Sequence, residues 1–402
     1  MAGGITVPAL ARGVSAAGGF GLLPAGYRTI TQLEQDREAM GELPFGFNVF
    51  VPTPDQGADL SEYLDKLKVW ADKLEVAPGD PVWHDDAYAD KIEYLVANPV
   101  PVVSFTFGVP TAPDAHRLRE AGSEVWITVT SAAEAKIAEG VGADALVVQG
   151  PEAGGHRSSF DAGAPDEPLL DLIASVRSVT ALPVVAAGGI MDGTDIARVL
   201  TAGATAAQLG TALVVTDESG AKQVYKDALL QPADTVVTRV FSGRPARSIS
   251  NAFQRDMEAV APVSFPALNS ATKELRASGD PDVMSLWAGT EHHRARALPV
   301  AELMATTDGH AGRRTDRGSR IGGYETSHSH LDGAPCRVPV NRPRSGHLPG
   351  GPAQRRFHRC SRVALGIQSA ALRWTRHLPA RAALNSGCVA RSHLRWSDGV
   401  IP

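Results

Sequence analysis

The turn Gln149-Gly150-Pro151-Glu152-Ala153-Gly154-Gly155-His156-Arg157 sets a histidine behind three small residues, so a ligand can come close to the imidazole. A neutral imidazole near its ordinary pKa takes a proton from carbon, or polarises a bound group, at neutral pH. Two further glycine turns lie downstream, Ala186-Ala187-Gly188-Gly189-Ile190 and Gln208-Leu209-Gly210-Thr211. All three follow short apolar runs. Glycine lets backbone N–H groups approach a phosphate, and a helix starting there turns its positive end to the anion. Three such turns at successive strand ends point to a ligand that carries phosphate, with His156 beside it. The plainer reading is that the glycines only make tight turns and that His156 bonds a neighbour.

Other chemistries are excluded by missing patterns. No G-x-G-x-x-G opens a helix after the first strand, and no Walker A motif or H-E-x-x-H occurs. Cys336, Cys360 and Cys388 are the only cysteines and stand far apart, so the first 310 residues offer neither a thiol nucleophile nor a disulfide. No metal is expected. His84, His116, His292 and His293 lie in polar surroundings and read as surface residues. Asp85-Asp86 reads as a solvated helix start, and Met40 and Trp126 as core or helix-face residues.

The elements that position these turns alternate. Apolar runs at 18–23, 44–50, 100–107, 124–129, 144–149, 182–187 and 206–210 read as strands buried on both faces. Helical stretches such as 131–139 and 194–202 lie between them, with Ser131 and Asp192 as N-caps and Gly140, Gly142 and Gly203 as stops. Repeated β–α units predict an α/β fold with a parallel sheet. A TIM (β/α)8 barrel competes with a doubly wound sheet; unit count and glycine placement favour the barrel, whose C-terminal face carries active sites. Seven strands are found where eight are needed, and no strand precedes Met1. The expected organisation is a barrel over 1–216 lacking its first strand, a small, mostly helical insertion over 217–285, a return to the barrel over 286–310, and a tail over 311–402.

Of the 402 residues, 43% are apolar, and the net charge is −5. That average hides a break. Residues 311–402 carry 16 arginines, no lysine and 4 acids, a net +12, whereas the first 310 carry 23 bases and 40 acids, a net −17. The tail shows no period of 3.6 or 2. It reads as a basic nucleic-acid arm, a disordered extension or an out-of-frame stretch of a GC-rich gene, and its composition favours the last. No apolar run is long enough for a membrane span, and no signal peptide is evident. A cytoplasmic location is expected.

Taken together, several segments resemble the nitronate monooxygenases, formerly called 2-nitropropane dioxygenases. They are Met1-Ala2-Gly3-Gly4-Ile5-Thr6-Val7-Pro8-Ala9-Leu10, Gly46-Phe47-Asn48-Val49-Phe50, the three glycine turns, Gly243-Arg244-Pro245-Ala246-Arg247 and Leu286-Trp287-Ala288-Gly289. The resemblance implies a TIM barrel with a small extra domain and non-covalently bound FMN. Carried over by position, Asn48, Gln149, Gly154, Gly189, Gln208, Leu209, Gly210 and Thr211 would contact FMN. His156 would serve as base for nitroalkanes or orient the nitronate. The implied reaction is oxidation of an alkyl nitronate by O2 to a carbonyl compound and nitrite, without metal, membrane or nucleic acid. A flavin-dependent NAD(P)H enoyl-ACP reductase, with a similar Ala-Gly-Gly-His turn, is the alternative. A non-catalytic flavin binder or damaged gene product is the third. Two departures from the family pattern stand out. Ser158 replaces the glycine usual after the His-Arg pair, which strains any backbone needing positive φ. The chain also begins at the methionine of a turn that normally follows the first strand, so Met1 is expected to keep a contact near the flavin without its anchor.

Overall fold

A computed structural model describes residues 1–307; the tail 311–402 and the last three residues of the 286–310 return lie outside the described residues. The described residues form ten strands: β1 Gly21–Pro24, β2 Phe45–Phe50, β3 Val102–Thr106, β4 Glu124–Val129, β5 Ala145–Gln149, β6 Gly155–His156, β7 Val184–Ala187, β8 Ala206–Gln208, β9 Thr235–Thr238 and β10 Ala246–Ile249. Seven form one parallel sheet in the order β1-β2-β3-β4-β5-β7-β8. Spatial order follows chain order without a reversal, so the switch point of a doubly wound sheet is absent. The sheet is the curled wall of a TIM-type barrel, with β1 and β8 at its edges among the described residues.

The strands form where both faces find apolar partners. In β5, Leu146 and Val148 join the large core under the helices, while Val147 turns inward to Val185, Ala187, Trp126 and Ala206. Such double burial is what makes parallel strands near-continuously apolar. The crossover helices begin at side-chain caps. Ser131 Oγ accepts from Glu134 N at 3.2 Å, and Asp192 Oδ1 accepts from Thr194 N and Asp195 N at 2.8 and 3.1 Å. Gly142 and Gly203, at φ +90° and +109°, turn the chain after the helices Ala132–Gly140 and Gly193–Thr201.

Register brings the polar strand ends together. Pro24 pairs with Asn48, Asn48 with Ser104, Gln149 with Ala187, and Ala187 with Gln208. These residues therefore share the C-terminal end of the sheet. Over that end lies a second sheet, antiparallel, in the order β6-β10-β9. Residues 217–285 supply β9 and β10 together with the helices Gln223–Leu229, Ala252–Met257, Ala267–Ala271 and Lys273–Ala277. Tyr63, Leu67 and Ala71 of the helix Ser61–Leu74 clamp this segment by packing on Phe241, Phe253 and Leu268.

Two polar residues lie deeper than their surroundings in sequence suggest. His292 is 1% exposed, with its ring nitrogens 2.9 Å from the carbonyl oxygens of Leu229 and Ala233. Asp86 is no solvated helix start: its carboxylate accepts from Tyr27 N and pairs at 2.7 Å with the buried Lys91 ammonium. For His292 both partners, and for Asp86 the Tyr27 backbone N–H, come from about sixty positions away in the chain, which local context cannot reveal.

Candidate active site

His156 is placed by its backbone first. It forms β6 with Gly155 and pairs with Ala246 of β10, and Arg157 N donates to Pro245 O at 2.8 Å. Gln149 then ties the loop to the barrel. Its Nε2 donates to His156 O at 3.1 Å, and its Oε1 accepts from Ser158 N at 2.9 Å. The side chain of Gln149 is therefore occupied in holding the His156 loop. Ser158 keeps negative φ, so the family glycine is not needed here for a left-handed backbone. Arg157 donates to Gly150 O at 2.8 Å and pairs with Asp166 at 2.6 Å; Arg247 Nε donates to Pro151 O at 2.8 Å. Gly154 is required by packing: a Cβ there would lie 2.6 Å from Ala288 C and Gly289 N, both backbone atoms.

The imidazole is partly buried in an aromatic enclosure. Its centroid lies 5.7 Å from that of Phe107, 5.6 Å from Phe265 and 5.3 Å from Trp287. Nε2 lies 2.9 Å from Ser242 Oγ. Phe107 sits at φ +78°, a strained conformation for a bulky residue, just past the end of β3. The buried Arg244 guanidinium stacks on the Phe107 ring at 4.1 Å, donates through Nε to Arg157 O at 3.2 Å and also bonds Ser159 O. No carboxylate among the described residues pairs with Arg244 or Arg276 within 4.0 Å. Burial, and then the charges of Arg244 and Arg276, lower the His156 pKa from 6.5 to about 3. Burial likewise pushes Arg244 down to about 10. The site therefore holds a neutral imidazole in a positively charged, largely apolar setting.

The other glycine turns close the same face. Gly188 and Gly189 have φ of +118° and +64° at the end of β7. At the end of β8, a Cβ on Gly210 would meet only Met1 Sδ, 3.8 Å away, so Met1 does lie beside this turn. Thr211 Oγ1 accepts from Gly289 N at 3.0 Å, joining the turn to the segment that covers Gly154. Gln208 Oε1 is buried without a hydrogen-bond partner. An orphaned buried acceptor needs a donor. Beside an open glycine turn, that donor fits a ligand rich in N–H and O–H groups, as a flavin nucleotide is. Asn48 reaches across the sheet floor instead, donating to Ser104 Oγ and Thr106 Oγ1, both at 3.1 Å. Leu209 packs partly buried against the neighbouring cores.

Ser242, Arg244, Phe107, Phe265, Trp287, Tyr27 and Arg276 carry no functional signal of their own in the sequence. Only the segments Gly243-Arg244-Pro245-Ala246-Arg247 and Leu286-Trp287-Ala288-Gly289 mark part of this wall. Among the described residues no cluster of three or more His, Cys, Asp or Glu could hold a metal ion, and no helix is long and apolar enough to cross a membrane.

A parallel barrel wall with a half-buried histidine and glycine turns at its C-terminal end is the layout of an α/β-barrel enzyme site. The family description "Nitronate monooxygenase" matches residues 1–307. A probable nitronate monooxygenase of Staphylococcus aureus is 34% identical over 322 residues, covering 75% of this chain and 90% of that protein. Among solved structures, nitroalkane oxidase from Streptomyces ansochromogenes is 44% identical with a TM-score of 0.77, over 79% of this chain and 96% of that one. FabK from Thermotoga maritima is 27% identical with a TM-score of 0.61, over 79% and 92%. The chain belongs to the nitronate monooxygenase family. It is an oxidoreductase enzyme of that family, which acts on nitro compounds.

Proposed function

We propose that this enzyme binds FMN at the ends of β7 and β8 and oxidises alkyl nitronates with O2 to a carbonyl compound and nitrite. The observation that carries the reading is His156 itself: its basicity is lowered by burial and by the charges of Arg244 and Arg276, it is enclosed by three aromatic rings, and the buried Arg244 guanidinium beside it has no carboxylate partner within 4.0 Å among the described residues. Uncompensated buried cations favour an anionic ligand, and a nitronate is an anion. When bound, FMN supplies a ring that takes up an electron from the nitronate and passes reducing equivalents to O2. Gln208, Gly189, Gly210 and Thr211 are the residues that would hold it. The rings of Phe107, Phe265 and Trp287 exclude water from the reacting carbon. Arg244 and Arg276 favour the anion over the neutral nitro compound. His156 orients the nitronate from the side of its carbon.

The depressed basicity of His156 disfavours proton abstraction from a neutral nitroalkane, because the imidazolium so formed would stand buried beside two cations. Preformed nitronate should therefore turn over at least about tenfold faster than its parent nitroalkane at the same pH. Oxygen uptake and nitrite release by the FMN-loaded protein test this. Saturation with flavin and no turnover of any alkyl nitronate would overturn the reading. The enoyl-ACP reductase alternative draws on the likeness to FabK, but identity is higher to the nitroalkane oxidase, 44% against 27%. Rapid NAD(P)H consumption with an enoyl thioester, and inertness to nitronate, would favour the alternative.

A further inference from the structure

We infer that Ser242 is a positioning residue that fixes His156 as the Nε2–H tautomer, leaving Nδ1 as the ring nitrogen that meets the substrate. The argument is an accounting of one hydroxyl proton. Ser242 Oγ lies 2.9 Å from His156 Nε2, 3.2 Å from Arg244 O and 3.4 Å from Arg244 N. Ser242 is 1% exposed and Arg244 is 4% exposed, so water does not satisfy these groups. Arg244 N can only donate, and Arg244 O can only accept. The hydroxyl can give its proton either to Arg244 O or to His156 Nε2. Giving it to the imidazole strands the Arg244 carbonyl, which takes no other hydrogen bond among the described residues. A stranded buried carbonyl is left with its full desolvation cost. Giving it to the carbonyl satisfies every group: Ser242 then accepts from His156 Nε2–H and from Arg244 N. The second arrangement wins, and it makes Nε2 a donor and Nδ1 a bare lone pair.

The turn that holds Ser242 is itself rigid. Gly243 has φ +79°, and a Cβ there would lie 2.4 Å from Ser264 O, so the chain must pass through glycine to bring Ser242 and Arg244 around the ring. Nδ1 makes no hydrogen bond within the described residues. As an acceptor it faces the carbon and α-hydrogens of a nitronate rather than its anionic oxygens, on the reading proposed above.

Nitrogen-15 NMR of the full-length, FMN-loaded protein labelled at histidine tests the assignment without relying on turnover. His156, assigned by its loss in His156→Gln, should show protonated Nε2 and unprotonated Nδ1 at pH 7. A protonated Nδ1 in the wild type would overturn the inference, whether or not nitronates are substrates. Ser242→Ala should populate both tautomers and lower kcat for nitronate about tenfold with little change in KM, and Ser242→Thr should restore both the signal and the rate. Ser242→Ala with an unchanged tautomer signal would also overturn it. A restored tautomer with no activity in any variant would instead count against the nitronate reading.

Discussion

His156 shows how far a single residue is remade by its setting. Free imidazole titrates at 6.5, yet burial and the two guanidinium groups hold it at about 3. Between those values the unfolded chain binds a proton that the folded chain refuses. Stability therefore rises with pH through that window and is lost on acidification below pH 6.5. At pH 5 the loss relative to pH 7 reaches about 2 kcal/mol. His156→Gln has no such proton to take up, so its stability deficit or surplus relative to wild type should shift in its favour by up to that amount between pH 7 and pH 5. Urea midpoints at the two pH values measure this; an unchanged difference would show that the imidazole is not held neutral. The histidine was legible in the sequence because three small residues precede it. Its partners were not, since Phe107, Ser242, Phe265 and Trp287 come from four separate stretches of chain. The burial of His292 and Asp86 is hidden from the sequence for the same reason, since Leu229, Ala233 and Tyr27 reach them from about sixty positions away.

At the scale of elements, the loop between β5 and β7 is the working part, and glycine packing sets its position. In Gly154→Ala the new methyl meets the Ala288 and Gly289 backbone at 2.6 Å, where no flexible side chain can give way. We expect a loss of about 1–3 kcal/mol and weaker FMN retention, read by chemical denaturation and by flavin fluorescence during dialysis. Unchanged stability would mean that the 288–289 segment yields freely. Gln149→Leu removes the amide that bonds His156 O and Ser158 N, and leaves both groups unpaired. It should lower kcat for nitronate more than it lowers thermal stability, and the ratio of the two effects checks its positioning role. Most of the seven parallel strands are legible in the sequence because burial on both faces makes them near-continuous apolar runs, whereas the short, half-buried β8 is marked by the glycine turn that follows it. β6, β9 and β10 are not legible there. They are 2 to 4 residues long, and β6 pairs with β10 about ninety positions away, so no local period announces them.

At the scale of the whole molecule, charge and family agree on a boundary. The family match runs over residues 1–307, and the change from net acidic to net basic composition falls at 310. Within that match, Val300 and Leu303 near its end pack against Leu10 and Val14 of the first helix, Pro8–Ala16. A chain ending at 307 should therefore bind FMN with the same affinity as the full chain and turn over nitronate at the same rate. A loss of either would show that the tail takes part in the fold or the site. The central claim is that a neutral His156 beside bound FMN serves nitronate oxidation, and one comparison tests it most directly. Nitronate-dependent O2 uptake is measured for wild type and His156→Gln, each loaded with FMN to the same stoichiometry. The expected result is uptake with nitrite release in the wild type and a fall of about 100-fold or more in the variant at equal flavin content. Equal rates in the two proteins, or no uptake by a fully flavin-loaded wild type, would contradict it.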